Sequence, residues 1–202
     1  MKILLLGDKE STYIWDYFDP ERFKGVDFVI SSGDLKREYL SFVVTMLNVP
    51  LYFVPGNHDK NYVELKPEGC VNIDRKIVDH SGFKIMGLGG SQWYNDGVYQ
   101  YTEKQMYFDY LKLKPKILFN KGIDMLVTHS PALGLNDGND RCHKGFKTFV
   151  KIIDKYAPAY HIHGHEHLNY GLHKRIIKRN STFIINSYEY YLFDTSNPER
   201  MI

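Results

Sequence analysis

The stretch His161-Ile-His-Gly-His-Glu-His167 holds four of the chain's nine histidines within seven residues. Neutral imidazole is the commonest metal ligand, so such a cluster points to metal chemistry. Ala159 to His163 reads as a short strand, and Gly164 breaks it. That leaves His165 and His167 on a turn at the strand's exit, where two imidazoles can be aimed at one point. The same arrangement recurs along the chain. Lys2 to Leu6 runs into Gly7-Asp8-Lys9-Glu10, and Val26 to Ile30 into Ser31-Ser32-Gly33-Asp34. Leu51 to Val54 runs into Pro55-Gly56-Asn57-His58-Asp59, and Ile123 to Val127 into Thr128-His129. Taken singly, Asp8 and Asp34 could cap helices, Asn57 could hold a turn, and His129 could be a satisfied core histidine. The coincidence at five exits carries the reading. Mixed oxygen and nitrogen donors suit Mn, Fe, Zn or Co rather than Ca.

Elements able to position such residues are visible around them. The apolar runs are four or five residues long and rich in Val, Ile and Leu, as buried strands of an α/β sheet are. In such sheets, sites form outside the carboxyl ends of the strands. Arg37 to Leu47 reads as a helix ending at Asn48. Ile73 to Val78 and Phe83 to Leu88 flank His80-Ser81-Gly82, as the strands of a hairpin would. Thr102 with Gln105 three residues on forms a capping box, and the helix it opens is expected to end near Leu113, before Pro115. An aromatic loop carries Trp93, Tyr94, Tyr99 and Tyr101. A polar loop spans Ala132 to His143, and Lys144 to Tyr156 reads as a helix. A second hairpin joins Ile176-Ile177 to Thr182–Asn186, and Glu189 to Phe193 is expected to be the last strand.

Composition narrows the classes. At 202 residues the chain is expected to form one domain over residues 1–202. A formal net charge of +2 suggests neither a nucleic-acid groove nor a membrane-surface patch. Cys70 and Cys142 are isolated, which fits a reducing compartment better than a disulfide framework. No apolar run approaches the ~18 residues of a membrane span. A cytoplasmic, soluble protein is expected.

The blocks Gly7-Asp8, Gly33-Asp34, Gly56-Asn57-His58-Asp59, His129 and Gly164-His165-Glu166-His167 resemble, in order, the five signature blocks of calcineurin-like metallophosphoesterases. Thr128 to His143, with Gly134-Leu135-Asn136-Asp137-Gly138, is also similar to small bacterial and animal members that act on phosphodiesters. The resemblance implies a four-layer αββα fold, a two-sheet β-sandwich core flanked by helices. It implies two divalent metal ions (Mn, Fe or Zn). Asp34 would bridge them, Asp8 and His167 would hold the first, and Asn57, His129 and His165 the second. His58 would stand by the leaving group as general acid, with Asp59 fixing its tautomer. The family's usual Asp-x-His has Glu10 in place of its histidine, and a glutamate there is expected to reach the first metal through oxygen.

Phosphate esters repel hydroxide, and two cations ~3.5–4 Å apart would clamp the phosphoryl group while lowering the pKa of a bound water toward ~7. A metal-bound hydroxide with a histidine general acid would then hydrolyse a phosphate ester, a phosphodiester of a small nucleotide-like molecule above all. Substrate contacts are expected from Asn57, His58, His143 with Asp140 beside it, and Trp93. The rivals are a nuclease and a catalytically weakened binding module on the same fold. The expected partner is a small-molecule phosphate ester, not nucleic acid or a membrane.

Overall fold

The computed structural model describes residues 1–168 and 174–201. Two six-stranded mixed sheets face each other, and helices cover both outer surfaces. Sheet one begins with β1 (Lys2–Gly7), β2 (Phe28–Ser31), β3 (Leu51–Phe53) and β4 (Val71–Asn72). These run parallel, and β13 (Glu189–Asp194) and β14 (Asn197–Met201) extend the other edge antiparallel, giving the order β14-β13-β1-β2-β3-β4. Sheet two has the order β11-β12-β10-β9-β6-β5. Its strands are β5 (Lys76–His80), β6 (Phe83–Leu88), β9 (Met125–Thr128), β10 (Tyr160–His163), β11 (Ile176–Arg179) and β12 (Thr182–Asn186). A small pair, β7 (Ser91–Gln92) with β8 (Gln100–Tyr101), pins the base of the aromatic loop.

Alternation along the strands explains the layers. In β1, Ile3 and Leu5 enter the core between the sheets, where Phe28, Ile30, Val54, Ile85, Met125, Val127 and Ile162 join them. Leu4 and Leu6 point outward and meet Ile14 of α1 (Thr12–Trp15) and Tyr39, Leu40 and Val43 of α2 (Arg37–Leu47). Because both faces are covered, the central strands β1, β2 and β9 are buried along nearly all their length. On the far side, Met86, Leu88 and Leu126 pack on α3 (Glu103–Phe119) and α4 (Lys147–Tyr156). The α4 stripe is Phe149, Ile152 and Ile153, with Phe146 just before it.

Several local expectations hold. α2 ends at Asn48, which adopts φ 51° as a left-handed cap. The Thr102–Gln105 capping box is formed, and both hairpins pair antiparallel. Two expectations fail. α3 does not stop near Leu113 but continues through Pro115 to Phe119. Ile117 is buried in the helix-facing core and Lys116 Nζ reaches the Ile77 carbonyl at 2.7 Å, so tertiary contacts hold the last turn against the missing proline N–H. Glu189–Asp194 is not the last strand, since β14 follows it on the sheet edge. Both cysteines are free. Among the described residues, no helix is long and apolar enough to cross a membrane.

What matters for function is direction. β1, β2 and β3 are parallel in one sheet, and β6, β9, β10 and β12 are parallel in the other. The chemistry-bearing turns after β1, β2, β3, β9 and β10 therefore sit at strand carboxyl ends, where the sheets meet. Gly164 N–H donates to the His129 carbonyl at 2.9 Å, Gly90 N–H to the Pro55 carbonyl at 2.8 Å, and the Ser32 and Ser187 hydroxyls are 2.6 Å apart.

Candidate metal centre

Three of the expected site residues have left-handed backbones: Asp8 (φ 62°), Asp34 (φ 57°) and His165 (φ 69°). Such conformations are uncommon outside glycine and collect at functional sites. Here each one turns the chain sharply at a strand exit, and local hydrogen bonds hold it. His165 N–H donates to Asp8 Oδ1 at 2.7 Å, and Asp34 N–H to Asp59 Oδ2 at 2.8 Å.

At the centre, donor atoms from three of these turns converge on His129 Nε2, which a fourth supplies. Asn57 Oδ1 lies 2.9 Å away, His165 Nδ1 3.1 Å and Asp34 Oδ2 3.3 Å. Proton accounting shows what these atoms are. The Ser32 carbonyl, 2.8 Å from His129 Nδ1, can only accept, so the neutral ring keeps its proton there and turns a lone pair inward. The Cys142 carbonyl does the same to His165 Nε2 at 2.7 Å, freeing Nδ1. Asn57 donates its Nδ2 to the Tyr94 hydroxyl at 3.0 Å, which aims its oxygen at the centre. Lone pairs of two imidazoles, an amide and a carboxylate thus face one another in a buried space. A cation resolves that repulsion, and Asp34, His129 and His165 form a group able to hold one.

Electrostatics agree. Burial alone would push the His129 pKa down, yet the Asp34 and Asp8 carboxylates raise it to about 9. Burial opposes ionisation of Asp34 too, but His129 beside it holds its carboxyl at about 2. Without a cation, a proton on His129 is the substitute. His165 goes the other way, to about 3, because burial and then the nearby His129 disfavour its charge.

Glycine makes room for this packing. A methyl group on Gly56 would overlap Asp34 Oδ1 and come 2.7 Å from His129 Cε1. Gly56→Ala is expected to destabilise the protein by about 1–3 kcal/mol, as overpacking does, and to lower metal content. A variant with wild-type thermal midpoint and metal content would show that the turn gives way freely.

The other half of the expected pair is less closed. Asp8 Oδ2 is buried without a hydrogen-bond partner among the described residues, and burial raises the Asp8 pKa to about 7. An orphaned carboxylate oxygen is costly unless something positive meets it. It points at Gly164, where a Cβ would lie 2.5 Å from it. The His167 ring packs 5.0 Å from Tyr188, centroid to centroid, and does not join the tight group around His129. Glu10 lines the same cleft as Asp34, and here both its oxygens go to Lys36, at 3.2 Å to the backbone N–H and 3.2 Å to Nζ. Lys36 is the N-cap of α2, so Glu10 serves the positive end of that helix. Glu10→Ala is therefore expected to cost about 0.3–1 kcal/mol of stability and to leave metal content unchanged. Loss of one equivalent of metal would return Glu10 to the ligand set.

The remaining predicted residues divide. His58 is exposed, and it lines a cleft of about 690 Å³ with Asp34, Asp59, Lys36, Arg37 and Tyr62. Its backbone N–H donates to Asp34 Oδ1 at 2.8 Å. Asp59 does not orient the His58 ring as expected. Its Oδ2 takes the N–H groups of Asp34 and Gly56, both at 2.8 Å, so it fixes the turns that carry Asp34 and Asn57. Burial, then Asp34, raises its pKa to about 7. Trp93 is not in that cleft. It lines a separate hollow with Thr102, Glu103 and Lys144, and the Arg141 guanidinium lies 4.6 Å over its ring. The Trp93 indole N–H donates to Asp96 Oδ1 at 3.1 Å within the same loop. His143 does reach the centre's edge, its ring 5.1 Å from that of His165. The other two histidines of the cluster, His161 and His163, are buried core residues. His161 Nε2 sits 2.9 Å from Thr128 Oγ1, and burial keeps its pKa well below the ordinary value.

Sequence reasoning missed Tyr94 as the residue that orients Asn57, and missed the Ser32 and Cys142 carbonyls that set the imidazole tautomers. A backbone carbonyl has no sequence signature, and Tyr94 stood out only as one of several aromatics.

The chain is similar to several known proteins. A Caenorhabditis elegans UPF0046 protein is 38% identical over 63 residues, 30% of this chain and 20% of its own length. Human metallophosphoesterase domain-containing protein 1 is 24% identical over 147 residues, 65% of this chain and 41% of its own. The matched stretches thus span less than half of either curated relative. The crystal structure of TT1561 of Thermus thermophilus superposes with a TM-score of 0.63 over 98% of this chain and 95% of its own, at 15% identity, which speaks for the fold. The calcineurin-like phosphoesterase family pattern matches residues 1–169, the span that carries every block of the site. The chain belongs to the calcineurin-like phosphoesterase family.

Proposed function

We propose that this protein is a metal-dependent phosphoric ester hydrolase acting on a phosphodiester of a small, nucleotide-like molecule. The observation that carries the reading is the convergence of lone pairs from Asp34, Asn57, His129 and His165 beside the exposed His58. Asn57, His129 and His165 would hold one divalent ion, and Asp34 would bridge to a second that Asp8 and His167 approach. Two such ions would supply charge neutralisation for the phosphoryl group and a water made acidic enough to lose a proton near neutrality.

The chain's own residues do the rest. Ser32 and Cys142 hold the tautomers of His129 and His165 through their carbonyls, and Tyr94 holds the rotamer of Asn57. Asp59 holds the Asp34 and Gly56 turns by their N–H groups. His58 is free of that framework apart from its backbone, so its ring can carry a proton to the leaving oxygen of a substrate in the cleft. A cleft of about 690 Å³ suits a small molecule rather than a polymer. An exposed histidine beside a built metal centre also favours an enzyme over a binding module, which has no use for a proton donor there.

The test is turnover by the manganese-, iron- or zinc-loaded protein on matched panels of aryl monoesters, aryl diesters and nucleotide diesters. Higher kcat/KM for diesters is expected. Preference for monoesters would overturn the diester assignment, and no turnover of any ester would overturn the hydrolase.

A further inference from the structure

Beside this centre, the loop between β9 and α4 gathers three donors of different kinds within four residues. Asp140 Oδ1 is 2.8 Å from Cys142 Sγ, Asp140 Oδ2 is 2.8 Å from His143 Nδ1, and Cys142 Sγ is 3.3 Å from His143 Nδ1. The three donor atoms form one compact group, partly open to solvent on the Asp140 side. None of them belongs to the donor set around His129. We infer that Asp140, Cys142 and His143 form a separate site for a soft divalent cation such as Zn²⁺.

The donor chemistry argues for it. Thiolate and imidazole together select zinc-like ions over Mg or Ca. Bonds of about 2.0–2.3 Å at tetrahedral angles place ligand atoms about 3.3–3.6 Å apart. To reach that spacing the two 2.8 Å carboxylate separations would widen by about 0.5–0.7 Å and the 3.3 Å sulfur–nitrogen separation by about 0.2 Å, within reach of side-chain rotation in an exposed loop. The loop is already shaped for it: Asp140 Oδ1 accepts the Cys142 and His143 N–H groups at 3.0 Å each, so the carboxylate is fixed toward the other two donors. Uptake balances simply. The Cys142 thiol loses its proton to solvent, the His143 proton moves from Nδ1 to Nε2, and three lone pairs bind the cation. Solvent at the exposed side completes four-coordination.

The site touches the main centre through the backbone. Cys142 supplies the carbonyl that holds His165 Nε2–H at 2.7 Å, and the His143 ring lies against His165. A cation clamped by this loop would stiffen the contact that keeps His165 Nδ1 aimed inward. The inference does not depend on hydrolysis by the main centre.

The experiment is a Co²⁺ titration of the full chain, read by its ultraviolet thiolate-to-cobalt charge-transfer band. The main centre has no sulfur donor, so that band reports the loop alone. It is expected in wild type, in Cys70→Ser and in His129→Ala, and absent in Cys142→Ser. Asp140→Asn and His143→Ala should each raise the apparent Kd by about tenfold or more. No thiolate band in the Cys70→Ser protein would overturn the site. So would a band indifferent to Asp140→Asn and His143→Ala, which marks a lone thiol, or one lost in His129→Ala, which places the thiolate in the main centre. Circular dichroism of each variant separates a lost site from a lost fold.

Discussion

His129→Ala is expected to strip the protein of its tightly held metal and to lower kcat/KM for phosphate esters by about 10²–10⁴-fold, several kcal/mol of barrier. His129 Nε2 is the atom on which Asn57, His165 and Asp34 converge, and its side chain is fully buried. Metal analysis and turnover on the same preparation check it. Chelation of the wild type should have the same effect, reversed by Mn²⁺ or a similar ion. Full activity in metal-free protein, or wild-type metal content in His129→Ala, would sink the reading. A pH dependence follows from the same atom. The metal-free ring holds a proton up to about pH 9, because Asp34 and Asp8 outweigh its burial. Cation and proton then compete for Nε2, so metal affinity should weaken as pH falls below about 9, with about one proton released per ion bound there. Calorimetry in buffers of different ionisation enthalpy counts that proton.

His58→Ala should lower kcat by about 10²–10⁴-fold, the usual contribution of a general acid, while metal content stays at the wild-type level. The separation is a structural consequence. Among the described residues, the hydrogen bond His58 makes to the centre is its backbone N–H to Asp34 Oδ1, and alanine keeps that bond. Substrates with good leaving groups need little protonation, so their loss should be smaller than that of alkyl esters. Equal losses across a leaving-group series would contradict proton donation, and loss of metal from the variant would make His58 a support of Asp34 instead.

Much of this was readable before any coordinates. Asp8, Asp34, Asn57, His58, His129 and the histidines after β10 all stand directly after short apolar runs, and those runs became parallel strands buried on both faces. Local rules worked where the decisive interaction is itself local: the Thr102–Gln105 box, the left-handed cap at Asn48, the turns at Ser81 and Asn180. They failed at Pro115, where Ile117 in the distant core outweighs a broken hydrogen bond, and they could not name the partner that Glu10 finds. Two residues from Asp8, a glutamate looked close enough to share its ligand. Whether it does depends on a helix start some 26 positions later, where Lys36 claims both oxygens.

Residue type and spacing therefore determined which donors the chain owns and that they lie at strand exits, because strand period and turn chemistry act over a few residues. Tertiary structure alone decided which lone pairs meet. That depends on two sheets closing face to face, so that Ser32 of one sheet sets the proton on His129 of the other, a loop carbonyl at Cys142 sets His165, and Tyr94 sets Asn57. Imidazole tautomers and amide rotamers are chosen by partners across the fold, and those partners become neighbours only when the apolar faces of both sheets are buried together.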